Sequence, residues 1–191
     1  MVMTSKDFLC LRNHLAVVLI FVVTLFSKFS TASVPAYAFG VGSFDVASGP
    51  TAIAIGDLNG DGRPDLVVSD GSGVSVLLGR ADGSFAPHVD YSTGQFASVG
   101  LALGDLNGDG KLDIVTIVGP GYPSFQVLLG NGDGTFKPAT SIQLSSLIGI
   151  SSVAMADFNK DGKLDIAIAG GAFAGPVVAV LLGNGDGNRN V

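Results

Sequence analysis

Between residues 51 and 187 the apolar positions fall in short alternating runs. Ile53 and Ile55, Leu101 and Leu103, and Val153 and Met155 are interleaved with Ala54 and Gly56, Ala102 and Gly104, and Ala154 and Ala156. A period of two predicts strands. Each strand has one large apolar face and one small face, and neither is charged. Both faces are therefore expected to be covered, with one neighbour approaching closely. Leu66–Val68, Ile114–Ile117 and Ile166–Ile168 read as second strands, rich in β-branched residues. Val76-Leu77-Leu78-Gly79, Val127-Leu128-Leu129-Gly130 and Val180-Leu181-Leu182-Gly183 read as third strands. No window carries a 3.6-residue apolar stripe, which excludes a helical solenoid.

The runs recur because the sequence recurs. Asp57-Leu-Asn59-Gly-Asp61-Gly62-Arg63-Pro-Asp65 returns as Asp105-Leu-Asn107-Gly-Asp109-Gly110-Lys111-Leu-Asp113 and again as Asp157-Phe-Asn159-Lys-Asp161-Gly162-Lys163-Leu-Asp165. A Gly-rich turn follows each third strand, Asn-Gly-Asp-Gly in the second and third copies. Each unit thus predicts a four-stranded antiparallel meander whose last strand carries Phe85 or Phe136. In the third unit Arg189 stands where that phenylalanine belongs.

A sheet with two apolar faces must stack on something, and the next copy of itself is at hand. The expected fold is all-β: three four-stranded antiparallel repeats forming β-propeller-type blades. They span residues 51–98, 99–150 and 151–191, the last truncated before its outer strand. Propellers close with about four to eight blades, so three make an incomplete one. Gly42-Ser43-Phe44 resembles Gly83-Ser84-Phe85, which makes residues 39–50 an orphan outer strand and linker. That strand is expected to complete the third sheet, in the same chain or in a partner. A homo-oligomer and a longer gene product with further repeats both fit.

The N-terminus carries a different pattern. Lys6 and Arg12 precede the twelve-residue apolar run Leu15–Phe26, shorter than the ~20 residues that span a bilayer. Ala36-Tyr37-Ala38 is a small-x-small cleavage pattern. Residues 1–38 are therefore expected to be a signal peptide cut after Ala38, and the protein to be secreted or held at the cell surface without a stable membrane span. A cut after Ala32, or an uncleaved anchor, are the alternatives. Cys10 precedes the apolar run, whereas a lipoprotein cysteine would follow it.

Charge narrows the function. The chain has a net charge of −6, with 14% charged and 47% hydrophobic residues. That hydrophobicity excludes intrinsic disorder. Ten basic residues against sixteen acids exclude a nucleic-acid partner, which needs Lys and Arg to neutralise phosphate. All the acids are aspartate, and a single cysteine excludes an intrachain disulfide and a multi-cysteine zinc site. After the expected cut one histidine remains, His88, so no Ser/His/Asp or Cys/His constellation can be assembled and an enzyme is not expected.

The aspartate loops carry the candidate chemistry. Calcium takes six to eight hard oxygens, and a nine-residue loop with oxygens at positions 1, 3, 5 and 9 can wrap it. The expected ligands are Asp57, Asn59, Asp61 and Asp65; Asp105, Asn107, Asp109 and Asp113; and Asp157, Asn159, Asp161 and Asp165. Position 7 adds the backbone carbonyls of Arg63, Lys111 and Lys163, giving about three Ca2+ sites. An EF-hand needs an acid at position 12, where Val68, Thr116 and Ile168 stand, and needs helical flanks. The competing account is that Asp, Asn and Gly simply make good turns; three copies with an acid at position 9 each time weigh against it.

The Asp-x-Asn-x-Asp-Gly-x-x-Asp loop between apolar strands, followed by Val-Leu-Leu-Gly and Asn-Gly-Asp-Gly-Thr-Phe136, resembles the FG-GAP/VCBS repeat family, whose relatives include the blades of the integrin α-subunit propeller. The resemblance covers residues 51 to 187. It implies an extracellular calcium-binding propeller used for adhesion or for binding a protein or polysaccharide ligand. The Phe-Gly and Gly-Ala-Pro marks of the integrin version are poorly kept, so the bacterial-style version is the nearer likeness. A lectin-like propeller and an accessory propeller of a larger secreted enzyme are the alternatives. Sugar sites commonly stack on Trp or Tyr, yet the chain has no Trp, and only Tyr91 and Tyr122 follow the leader. Asp70-Gly-Ser72 and Arg80-Ala81-Asp82 are expected to be turns, and His88 a surface residue.

Overall fold

A computed structural model describes residues 42–94, 98–118, 124–144, 147–172 and 175–187. The expected leader and its cut after Ala38 lie outside the described residues, as do Phe39 to Val41, Tyr122 and Arg189. Among the described residues no helix is long and apolar enough to cross a membrane. The regular elements are strands, arranged in three antiparallel sheets.

The first sheet runs in chain order β1 (Ala52–Gly56), β2 (Asp65–Ser69), β3 (Gly73–Leu77) and β4 (Val89–Ser92). The second repeats it with β5 (Ser98–Gly104), β6 (Asp113–Val118), β7 (Ser124–Leu128) and β8 (Thr140–Gln143). The third has β9 (Ile148–Ala156), β10 (Asp165–Ala172) and β11 (Gly175–Leu181) and no fourth strand among the described residues. The register is shared: Ile55 pairs with Leu66, Leu103 with Ile114 and Met155 with Ile166, so each aspartate loop closes the same hairpin. β5 begins at Ser98 and β9 at Ile148, slightly ahead of the expected repeat boundaries.

The core lies between the sheets. Val67, Val74 and Val76 of the first sheet meet Leu101, Leu103, Ile114 and Leu128 of the second. Val115, Ile117, Phe125 and Val127 of the second meet Val153, Met155, Ile166 and Ile168 of the third. Burying one such side chain contributes about 1.5–3 kcal/mol, so stacking holds small sheets that would be marginal alone. β5 lies against both β1 and β9, which places the first strand of each repeat side by side. These are propeller-like blades, and no sheet closes on itself.

Three details differ from the sequence expectation. The large face of β1 is open, with Ile53 60% and Ile55 67% exposed, because no sheet precedes it among the described residues. The phenylalanines are not in the fourth strands: Phe85 and Phe136 form isolated bridges to Gly79 and Gly130, and β4 and β8 begin a few residues later. Each bridge closes the turn, and Phe136 is buried against the first sheet. Finally, residues 42–50 form no strand and sit on the first sheet rather than the third. The Phe44 ring meets Phe85 edge-on at 4.9 Å. Ala47 N–H donates to Ser75 Oγ at 3.2 Å, and the Ser48 carbonyl accepts Gly71 N–H at 3.0 Å.

Candidate metal centre

Each loop folds around its own first aspartate. Asp57 Oδ1 accepts the amides of Gly60 (2.8 Å) and Asp61 (3.2 Å), and Oδ2 accepts Gly62 (2.8 Å). Asn59 Oδ1 accepts Asp61 N–H at 3.1 Å, and Asp61 Oδ1 accepts Arg63 N–H at 2.9 Å. The second loop reproduces this with Asp105 on Asp109 and Gly110, Asn107 on Asp109, and Asp109 on Lys111. The third does so with Asp157 on Asp161 and Gly162, Asn159 on Asp161, and Asp161 on Lys163. Converging amides, Gly62 above all, hold the exposed Asp57 carboxyl below its usual range.

Positions 4 and 6 take left-handed backbone. Gly60 and Gly62 have φ of 73° and 78°, Gly108 and Gly110 72° and 82°. The third loop has Lys160 at position 4, and it adopts φ 62° nonetheless.

The closing aspartates have a structural task. Asp65, Asp113 and Asp165 are fully buried. Asp65 Oδ2 accepts Leu58 N–H (2.8 Å) and Oδ1 accepts Gly79 N–H (2.7 Å). Asp113 does the same to Leu106 (3.0 Å) and Gly130 (2.8 Å), and Asp165 to Phe158 (2.9 Å) and Gly183 (2.8 Å). Each therefore ties the start of its loop to the glycine ending Val-Leu-Leu-Gly. A β-carbon at Gly79, Gly130 or Gly183 would lie 2.2, 2.3 or 2.1 Å from the carbonyl oxygen of Pro64, Leu112 or Leu164. The two sequence landmarks are thus one structure, joined by contacts between residues too far apart in the chain for spacing to reveal.

Position 7 contributes charge as well as backbone. The Arg63 guanidinium pairs with Asp61, its Nε donates to the Gly79 carbonyl at 3.1 Å, and Lys111 Nζ lies 3.7 Å from Asp109. Burial pushes the Asp113 carboxyl up, two backbone amides oppose this, and the nearby charges of Asp109 and Asp105 add to the rise. Three carboxylates of one loop therefore sense one another. Among the described residues, however, no three acidic or histidine side chains converge on one point as a ready-made cage. The donor set itself is all oxygen, as a hard divalent cation requires. Asp57, Asn59 and Asp61 would hold such an ion from the loop, with the Arg63 carbonyl and Asp65 behind them; the other two loops offer the equivalent groups. The cation would supply positive charge among the clustered carboxylates.

The weaker motifs are structural. Asp70 is buried in the β2–β3 turn, where it accepts Ser72 and Gly73 amides (2.7 and 3.0 Å) and faces the Ser75 hydroxyl at 3.0 Å. Asp82 in Arg80-Ala81-Asp82 accepts the Ser84 amide as Asp133 accepts that of Thr135. His88 Nδ1 lies 2.8 Å from Asp90 Oδ1 at the surface. The Tyr91 ring packs edge-on against Phe136 at 5.5 Å, inside a sheet interface.

A family model described as an FG-GAP-like repeat matches residues 57–116 and 117–168. Among solved structures, the chain is similar to a lectin from Agrocybe aegerita whose description is specific recognition of non-reducing terminal N-acetylglucosamine. The two are 26% identical over 72% of this chain, with a TM-score of 0.49, and the match covers 36% of the lectin. Among curated proteins none matches.

Proposed function

Because the chain belongs to the FG-GAP-like repeat family, we propose that it is an exported calcium-binding module of propeller blades that serves adhesion or ligand binding and carries no catalysis of its own. The observation that carries the calcium part is the repetition of one oxygen-lined loop, with the same amide pattern around Asp57, Asp105 and Asp157. The acids at positions 5 and 9 also accept backbone amides, so what weighs toward a cation is that three carboxylates and one amide oxygen recur within nine residues in all three copies. Export is supported by the apolar run Leu15–Phe26 and by Ala36-Tyr37-Ala38.

A ligand that binds only the folded state stabilises it by RT ln(1 + [L]/Kd), about 2.7 kcal/mol per site at a hundredfold excess. Calorimetric melting in excess calcium is expected to give a higher Tm than melting in EDTA, and an unchanged Tm rejects the metal assignment. Export has its own readout: N-terminal sequencing of protein from the medium of a secreting host should begin at Phe39.

A further inference from the structure

The three aspartate loops share a backbone and differ in what meets one oxygen. In each, Oδ1 of the position-5 aspartate accepts the position-7 amide: Arg63, Lys111 and Lys163 donate to Asp61, Asp109 and Asp161 at 2.9, 3.0 and 2.9 Å. That leaves Oδ2 for a further partner. In the first loop Oδ2 is taken by the Arg63 guanidinium. In the second it has Lys111 Nζ at 3.7 Å, beyond hydrogen-bond reach. In the third the neutral side-chain amide of Asn159 donates to it at 3.1 Å. Among the described residues no ion pair joins Lys160 or Lys163 to an acid of that loop. The arginine is also anchored behind the loop. Its Nε donates to the Gly79 carbonyl at 3.1 Å, at the glycine whose amide Asp65 accepts. Two anchors set the planar guanidinium in one orientation, so little freedom is lost per bond formed. The lysine stems run along the Gly-rich turns instead: a β-carbon on Gly132 or Gly185 would lie 3.0 or 3.1 Å from Cδ of Lys111 or Lys163. The Asp61 side chain is accordingly the better covered, 22% exposed against 35% for Asp109.

We propose that Arg63 is a built-in cation of the first loop, which a divalent ion must displace from Asp61, and that the first loop is therefore the last of the three to fill. The order presupposes the calcium reading proposed above. Formal charge ranks the loops differently. The third loop carries two cations, Lys160 and Lys163, where each of the others carries one, so by charge alone it would fill last. Contact outweighs count here. Exposed charges without a fixed partner are screened by water and salt, whereas the guanidinium sits on the one oxygen of Asp61 that the backbone leaves for an ion. Arginine keeps its charge at every accessible pH, so the block is removed by substitution and not by titration. Loss of an exposed ion pair of this kind corresponds to roughly a two- to fivefold change in affinity.

The test is a calcium titration of the purified chain followed by NMR at the amides of Gly62, Gly110 and Gly162, each of which donates to the first aspartate of its own loop at 2.8 Å. Gly62 is expected to shift at the highest calcium concentration. Arg63→Gln should lower that midpoint by roughly two- to fivefold and leave those of Gly110 and Gly162 unmoved. Lys111→Arg offers Asp109 and Gly130 the same fork and should raise the Gly110 midpoint alone, a result that does not depend on how Arg63→Gln folds. In EDTA, Arg63→Gln should speed hydrogen exchange at Gly62 and not at Gly110 or Gly162, because only the first loop loses a cation that it already holds. A Gly62 midpoint that Arg63→Gln does not move, or a third loop that fills last, overturns the proposal and leaves the calcium reading standing. No calcium shift at any of the three amides overturns the calcium reading and the order with it.

Discussion

Asp113 stands where the metal reading and the stability of the fold meet. Both of its oxygens accept buried amides, from Leu106 and Gly130. Leaving a buried donor without a partner costs about 1–3 kcal/mol each. Asp113→Ala should therefore lower stability by roughly 2–6 kcal/mol even in EDTA, whereas Asn107→Ala, on the exposed side of the loop, should act mainly through the calcium response. Chemical denaturation with and without calcium separates the two; equal losses in EDTA would mean that the buried carboxylate does not seal the loop. Protonation offers an independent check. Burial raises the Asp113 carboxyl, while amide donors, first that of Gly62, lower Asp57. In calcium-free carboxylate NMR titrations Asp113 should titrate above the usual aspartate range and Asp57 below it. The linkage signs are opposite. The Asp113 contribution is present at low pH and lost as pH rises through its raised pKa. The Asp57 contribution is present above the usual range and lost as pH falls through its lowered one. Lys160 is the third case. A left-handed conformation costs an L-residue about 1–2 kcal/mol, and glycine avoids it at some cost in unfolded-chain entropy. Lys160→Gly, which restores the residue found at Gly60 and Gly108, should raise stability by roughly 1 kcal/mol; a lower Tm would show that the lysine side chain supports the loop.

At the scale of elements, the first three strands of each repeat were legible because alternation and β-branching survive in Ile53/Ile55, Val67/Val68 and Val76/Leu77. The fourth strands were not. β4 reads Val-Asp-Tyr-Ser and β8 Thr-Ser-Ile-Gln, short and largely polar because they lie at the outer edge. Phe85 and Phe136 are conspicuous apolar residues after the turns, yet they close those turns by bridging Gly79 and Gly130 rather than belonging to the strands. The loops were legible through their threefold repetition, but the clamp from Asp65 to Gly79 was hidden because it is non-local. It makes a definite claim about a residue that spacing marks only as turn-forming. Gly130 needs its missing side chain more than its flexibility, since an added β-carbon would lie 2.3 Å from the Leu112 carbonyl oxygen. Gly130→Ala should thus cost at least about 2 kcal/mol, as over-packing does. Gly108→Ala, with open space around it, should cost only the left-handed backbone penalty, about 1 kcal/mol. Matching losses at the two sites, measured by urea denaturation, would argue against the close approach.

Across the whole molecule, stability should be graded rather than uniform. In stacked repeats each unit is held mainly by its neighbours, and the second sheet has one on each face. Every residue of β6 and β7 is buried, whereas β1 and β11 alternate intermediate with exposed positions. Opening an outer sheet breaks one stacking layer; opening the middle one breaks two. Native-state hydrogen exchange on dilute protein should accordingly find the slowest amides in β6 and β7 and the fastest strand amides in β1 and β11, with a gap in opening free energy of a few kcal/mol, about the size of one layer's burial of two or three aliphatic side chains.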